Sequence, residues 1–142
     1  MEKLILHPTE TSQWHALLNE AQMNSKCFLE EDIESYLVFL LMRFSQSPDI
    51  ANSILALDFM KVSDTSGKVK RELLQKVGDQ SLLFCGLFPG IAERKSVSVD
   101  YFIDLGKTAY FSIAEIDTCD LFKSLANNFK TMREVLTAMQ HN

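Results

Sequence analysis

Four polar residues in the second half of the chain are of the types that form ligand-binding pockets. Asp79 interrupts an apolar stretch, Arg94 lies in the connection that follows, and Tyr101 and Tyr110 come later in the chain. A buried carboxylate needs a charged or hydrogen-bonding partner, and Arg94 is the first candidate for Asp79. One interpretation is a polar pocket formed by all four side chains. The other, which we favour, is a structural ion pair that fixes the connection.

Motifs for phosphate, metal or nucleophilic chemistry are incomplete in this sequence. The tripeptide GKT at 106–108 resembles the end of a phosphate-binding loop, but Tyr101 stands where that loop needs a glycine. Asp100 and Asp104 lie one turn apart, and we interpret them as a solvated helix face rather than a cation site. Cys85 lies in the apolar run LLFCGLF, which predicts a raised thiol pKa and an inert side chain. We therefore favour a protein without catalytic residues, metal or cofactor.

Small residues recur at helical spacing on two predicted helices. They are Gly78, Ser81 and Cys85 on the helix predicted over 68–88, and Gly106 and Ala109 on the next helix. Glycine costs about 1 kcal/mol relative to alanine inside a helix, so another interaction must compensate. We expect the two stripes of small residues to let the two helix backbones approach closely and gain dispersion contacts.

Hydrophobic periodicity predicts six helices. Their expected bounds are about 9–24, 29–46, a short helix after Pro48 that carries Ile50, Ile54 and Leu57, then 68–88, 98–115 and 118–140. The second helix is apolar nearly all round over 36–44, which predicts that it lies at the centre of the core. The expected fold is all-α, with residues 1–142 forming one domain that is a bundle of about six helices.

The last predicted helix carries apolar side chains at alternating steps of three and four. They are Phe122, Leu125, Phe129, Met132, Leu136 and Met139. This spacing is typical of a helix that packs on its own bundle, which is the interpretation we favour. It is also the spacing of a coiled-coil seam, so self-association about a two-fold axis is the alternative.

Residues 78–110 resemble a family of uncharacterised proteobacterial proteins with the signature GD…L…GxFP…R…VS…YY/F…G…AY. The matching positions are Gly78, Asp79, Gly86, Phe88, Pro89, Arg94, Val97, Ser98, Tyr101, Phe102, Gly106, Ala109 and Tyr110. The resemblance covers about a quarter of the chain. It implies a recurring architectural module and a bacterial source. It implies no catalytic residues, because the family has no established activity.

Composition limits the partners and the compartment. A net charge of −5 and a pI near 5.1 argue against a nucleic-acid-binding surface. No apolar run approaches the roughly 20 residues that span a bilayer, and the N-terminus lacks the apolar core of a signal peptide. The three cysteines at 27, 85 and 119 show no CxxC spacing, which suits reduced thiols. We therefore expect a cytoplasmic protein that binds neither nucleic acid nor membrane.

Two functions are compatible with these observations. The first, which we favour from the sequence, is a non-catalytic helical protein that acts through protein–protein contacts, with a homodimer as one form of contact. The second is a small-molecule-binding protein or enzyme with a pocket between the fourth and fifth predicted helices. Asp79, Arg94, Tyr101 and Tyr110 would line that pocket.

Overall fold

In the described residues, six helices pack into one bundle, which confirms the all-α fold class. The computed structural model describes residues 9–46, 65–90, 98–118 and 120–140, and these ranges contain no strand. The helices are α1 (Glu10–Ser25), α2 (Glu31–Gln46), α3 (Gly67–Leu87), α4 (Val99–Asp117), α5 (Asp120–Asn127) and α6 (Phe129–Gln140). The short helix predicted after Pro48 lies outside the described residues.

The centre of the bundle is α3 rather than α2. All ten consecutive residues from Val77 to Gly86 on α3 are buried. Helix α3 packs most extensively against α4 and also against α6, while α1 packs against α2 and α6. The expectation that α2 is central was wrong, because α2 leaves Phe39 56% exposed on one side. Leu37 and Leu41 are buried, while Met42 and Phe44 are partly buried against the core.

The predicted C-terminal helix over 118–140 is two helices that meet at Asn128. The Asn128 backbone N–H and its side-chain amide both donate to the Ser124 carbonyl, at 2.9 and 2.8 Å. The Asn128 carbonyl then accepts from the Met132 N–H at 2.8 Å and starts α6. Asparagine side chains compete with the backbone for such bonds, which explains why periodicity alone missed the interruption.

The apolar side chains proposed for a coiled-coil seam pack inside this chain. Phe122, Leu125, Phe129, Met132 and Leu136 are buried in the core, and Met139 is partly buried against it. Little of this seam is therefore exposed for contact with a second copy of the chain. Self-association through it stays a prediction.

The small residues on α3 and α4 make room for aromatic rings. A Cβ added to Gly78 would lie 2.6 and 2.9 Å from Tyr110 Cδ1 and Cζ. A Cβ added to Gly106 would meet the Phe129 ring and would lie 3.1 Å from the Ser81 Cβ. The atoms nearest to both glycines thus belong to side chains and not to a neighbouring backbone. Cys85 and Ala109, the remaining members of the two stripes, are also buried.

Substitution of Gly78 by alanine tests this packing. The new methyl group gains helix propensity of about 1 kcal/mol but meets the Tyr110 ring inside a filled core. We expect Gly78→Ala to lower the free energy of unfolding by about 1–3 kcal/mol, measured by urea denaturation. The control is Gly90→Ala, because a Cβ there would have no atom of the described residues within 4 Å. Equal stability of the two variants would contradict the account.

Candidate ligand-binding site

Asp79 lies in the middle of α3 with only 6% of its surface exposed, and three side chains satisfy its carboxylate. The Tyr36 and Tyr110 hydroxyls both donate to Oδ1, at 2.5 and 2.7 Å. The Arg43 Nη2 lies 3.3 Å from Oδ2 and forms an ion pair with it. Burial of a charge this deeply requires such partners.

These partners come from two other helices. Tyr36 and Arg43 lie seven residues apart on α2, which is about two helical turns, so both can face Asp79. Tyr110 lies on α4. The carboxylate thereby connects α2, α3 and α4.

Gly78 and Asp79 act together in placing Tyr110. The ring of Tyr110 lies against the bare Cα of Gly78, and its hydroxyl reaches the carboxylate of the next residue. A side chain at residue 78 would occupy the position of the ring. Gly78 is unfavourable for helix propensity, but it leaves the space in which the Tyr110 hydroxyl can reach Asp79.

A polar chain continues from Tyr36 along α3. Gln75 Nε2 donates to the Tyr36 hydroxyl at 3.1 Å, and Gln75 Oε1 accepts from Arg71 Nη1 at 3.4 Å. Arg71 also pairs with Asp117 at the end of α4, and its guanidinium lies 5.2 Å from the centroid of the Phe122 ring. Each side chain in this series of hydrogen bonds is thus held in place by its neighbours.

Burial determines the protonation behaviour of these groups. It raises the pKa of Asp79 above its ordinary value, although the bonds from Tyr36, Tyr110 and Arg43 act in the opposite direction. Burial, followed by the charge of Asp79, raises the pKa of both tyrosines, so the two phenols remain hydrogen-bond donors at neutral pH. Burial, the largest single effect, lowers the pKa of Arg43, but the charges of Asp79 and Tyr36 and the hydrogen bonds to both groups together outweigh it, so the pKa is raised.

A cavity of about 430 Å³ lies between α2 and α3, and Asp79 and Arg43 are both part of its wall. This volume is within the range of small-molecule sites. The other described residues that line it are Leu40 and Gln46 from α2, and Glu72, Gln75, Lys76, Gln80 and Leu83 from α3. The site therefore combines an apolar wall with several charged and amide groups.

Two of the four residues predicted for the pocket come together in the structure. Asp79 and Tyr110 are hydrogen-bonded. Tyr101 is 46% exposed, packs on Phe102 and is not among the described residues that line the cavity. It lies nine residues before Tyr110, which is about two and a half turns and places the two tyrosines on opposite sides of α4. Arg94, with its proposed pairing to Asp79, lies outside the described residues.

The cavity lies between α2 and α3, whereas the sequence placed it between the helices that are now α3 and α4. The α3–α4 boundary is filled by side chains such as Tyr110. The sequence analysis missed Tyr36, Arg43 and Gln75. A pattern was present for two of them, because Tyr36 and Arg43 are polar side chains two turns apart in an otherwise apolar segment.

Other expected features can be placed as well. Burial raises the pKa of the Cys85 thiol to about 12, as the apolar run around it predicted. Within the described ranges, no group of three or more His, Cys, Asp or Glu residues is arranged to hold a metal ion. None of the helices described is both long and apolar enough to cross a membrane.

Comparison with known proteins gives no relative. No family model, curated protein or solved structure matches this chain. The resemblance stated for residues 78–110 therefore depends on the quoted positions alone.

The raised pKa of Asp79 predicts how stability changes with pH. The folded protein holds the Asp79 proton at a pH where the unfolded chain has released it, so stability falls as pH rises from the unfolded pKa to the folded pKa. Asp79→Asn removes this titration. We expect the difference in unfolding free energy, wild type minus Asp79→Asn, to decrease from pH 4 upward in urea denaturation. A difference that is constant with pH, or that increases, would contradict the assignment.

Removal of one phenol tests the hydrogen bonds to the carboxylate. Tyr110→Phe keeps the ring against Gly78 but leaves Asp79 with one donor fewer in a buried setting. We expect a loss of about 1–3 kcal/mol in the free energy of unfolding. The matched variant Tyr101→Phe, on the exposed side of α4, should change it by less than about 0.5 kcal/mol. Similar losses in both variants would show that the Tyr110 hydroxyl contributes nothing specific.

Proposed function

We propose that this protein binds a small organic ligand in the cavity between α2 and α3 and performs no reaction on it. The observation that carries this proposal is the placement of the buried Asp79 carboxylate, with Arg43, in the wall of that cavity. Convergent polar groups of this kind in an otherwise partly apolar cavity are typical of ligand sites. Tyr36 and Tyr110 donate to Asp79, and Gln75 donates to Tyr36, so the acceptor is preorganised before a ligand arrives.

The residue types in the cavity support binding rather than catalysis. None of the described residues that line it is a serine, cysteine or histidine. The phenols that contact Asp79 have raised pKa values and act as donors, which makes them poor bases at neutral pH. The free thiols of Cys27 and Cys85 suit the cytoplasm, which we propose as the compartment.

Protein–protein contact is the second candidate function. Large apolar side chains at the end of α1 and in the connection to α2 favour it, since Met23 is 71% exposed and Phe28 is 69% exposed. Neighbouring exposed apolar groups of this kind mark contact surfaces in many proteins. Such a contact would use a different surface from the cavity, so the two functions are compatible.

The test is a screen of small polar compounds by two-dimensional NMR of the labelled protein. We expect at least one compound to shift the amide signals of Leu40, Gln80 and Leu83 in a saturable manner, because these residues line the cavity. The variant Gln46→Trp, which places a large ring at the cavity wall, should weaken binding at least tenfold. Gln13→Trp, on exposed surface of α1, should leave it unchanged.

Two results would contradict the proposal. One is a screen in which no compound shifts the cavity residues. The other is binding that is unaffected by Gln46→Trp, with shifts that cluster instead at Met23 and Phe28, which would favour the protein–protein contact.

A further inference from the structure

We infer that the cavity between α2 and α3 recognises a small zwitterion that carries both an ammonium and a carboxylate group, as an α-amino acid does. This inference rests on the proposed ligand-binding function and names the chemical class of its ligand. It follows from the arrangement of Asp79 and Arg43 as adjacent opposite charges in one cavity wall.

The two carboxylate oxygens of Asp79 are used unequally. Oδ1 accepts from both Tyr36 and Tyr110, whereas Oδ2 has Arg43, at 3.3 Å, as its hydrogen-bond partner among the described residues. A carboxylate oxygen can accept two hydrogen bonds. Oδ2, which lies on the side of the cavity residue Arg43, therefore keeps capacity for a ligand ammonium group.

The guanidinium of Arg43 is also used only in part. Its side chain is 51% exposed, and Nη2 is the nitrogen that contacts Asp79. A guanidinium has five N–H donors in a planar arrangement, and two parallel ones can bind one carboxylate. As far as the described residues are concerned, the side of Arg43 turned away from Asp79 can therefore bind a ligand carboxylate.

The charge of the cavity wall matches a ligand with no net charge. Among the described residues that line the cavity, Arg43 and Lys76 are positive and Glu72 and Asp79 are negative, so the two signs are equal in number there. A lone amine at Asp79 would compete with Arg43, and a lone carboxylate at Arg43 would compete with Asp79. A zwitterion supplies both counter-charges together, so neither protein group loses compensation when the ligand binds.

Apolar wall residues suggest the first probe. Leu40 and Leu83 line the cavity from opposite helices, and a branched apolar side chain can pack between them. The probe is leucine, and its matched analogues are isoamylamine, which lacks the carboxylate, and 4-methylpentanoate, which lacks the amine. Titration calorimetry at neutral pH, with NMR to locate each compound, should show that leucine binds at least tenfold more tightly than either analogue.

Two variants assign each half of the ligand to one residue. Arg43→Gln should weaken leucine at least tenfold and leave isoamylamine unchanged or tighter. Asp79→Asn should weaken leucine similarly and leave 4-methylpentanoate unchanged or tighter. Lys130→Gln and Asp104→Asn, on exposed surface, are the charge controls and should change nothing. If circular dichroism shows that Asp79→Asn does not fold, the comparison of leucine with isoamylamine on Arg43→Gln still decides the question.

The outcomes separate this inference from the proposed function. If either analogue binds at the cavity as tightly as leucine, or if other compounds bind there and leucine does not, the zwitterion inference is overturned and ligand binding stands. If no compound shifts the amide signals of the cavity residues, both the zwitterion inference and the proposed ligand-binding function are contradicted. The expected order of affinities, together with the selective losses in the two variants, supports both.

Discussion

A carboxylate placed inside a helical bundle must be compensated by its neighbours, and the structure depends on how Asp79 meets this constraint. Loss of water from a charged group costs far more than the net stability of a small domain unless partners replace the lost hydrogen bonds. Two phenols and a guanidinium replace them here, and they come from α2 and α4. The same requirement that makes the carboxylate costly therefore fixes three helices relative to one another. It also leaves one side of the carboxylate in the wall of a cavity.

The glycines and the polar residues, which look like separate problems in the sequence, have a common explanation. Gly78 provides the space for the Tyr110 ring, and the ring delivers its hydroxyl to Asp79. The packing explanation and the pocket explanation therefore apply to the same group of residues. Gly106 makes a similar space for the Phe129 ring from α6, so aromatic rings set the approach of the helices around α3. Dispersion contacts with these rings offset the low helix propensity of glycine.

Much of the fold could be predicted from the sequence, because helical periodicity is a local property. The bounds of α1 to α4 are within about two residues of the expected ones, and the burial of Leu136 and its neighbours follows the spacing of three and four. The interruption at Asn128 depends on one side-chain bond, which periodicity cannot show. The site was only half predictable. The partners of Asp79 depend on which helices pack near α3, and this packing is a tertiary property. It brings Tyr36 and Arg43 to the carboxylate and leaves Tyr101 exposed on α4. The position of the cavity between α2 and α3, rather than between α3 and α4, also depends on this tertiary packing.

The central claim is that Asp79 is a buried carboxylate held by two phenols. The most direct measurement is the titration of its side-chain carboxyl by carbon-13 NMR, followed together with the ring signals of Tyr36 and Tyr110. The account predicts a midpoint above the ordinary aspartate value, with the signals of both tyrosines changing at that same midpoint. An ordinary midpoint, with tyrosine signals that do not respond, would contradict it.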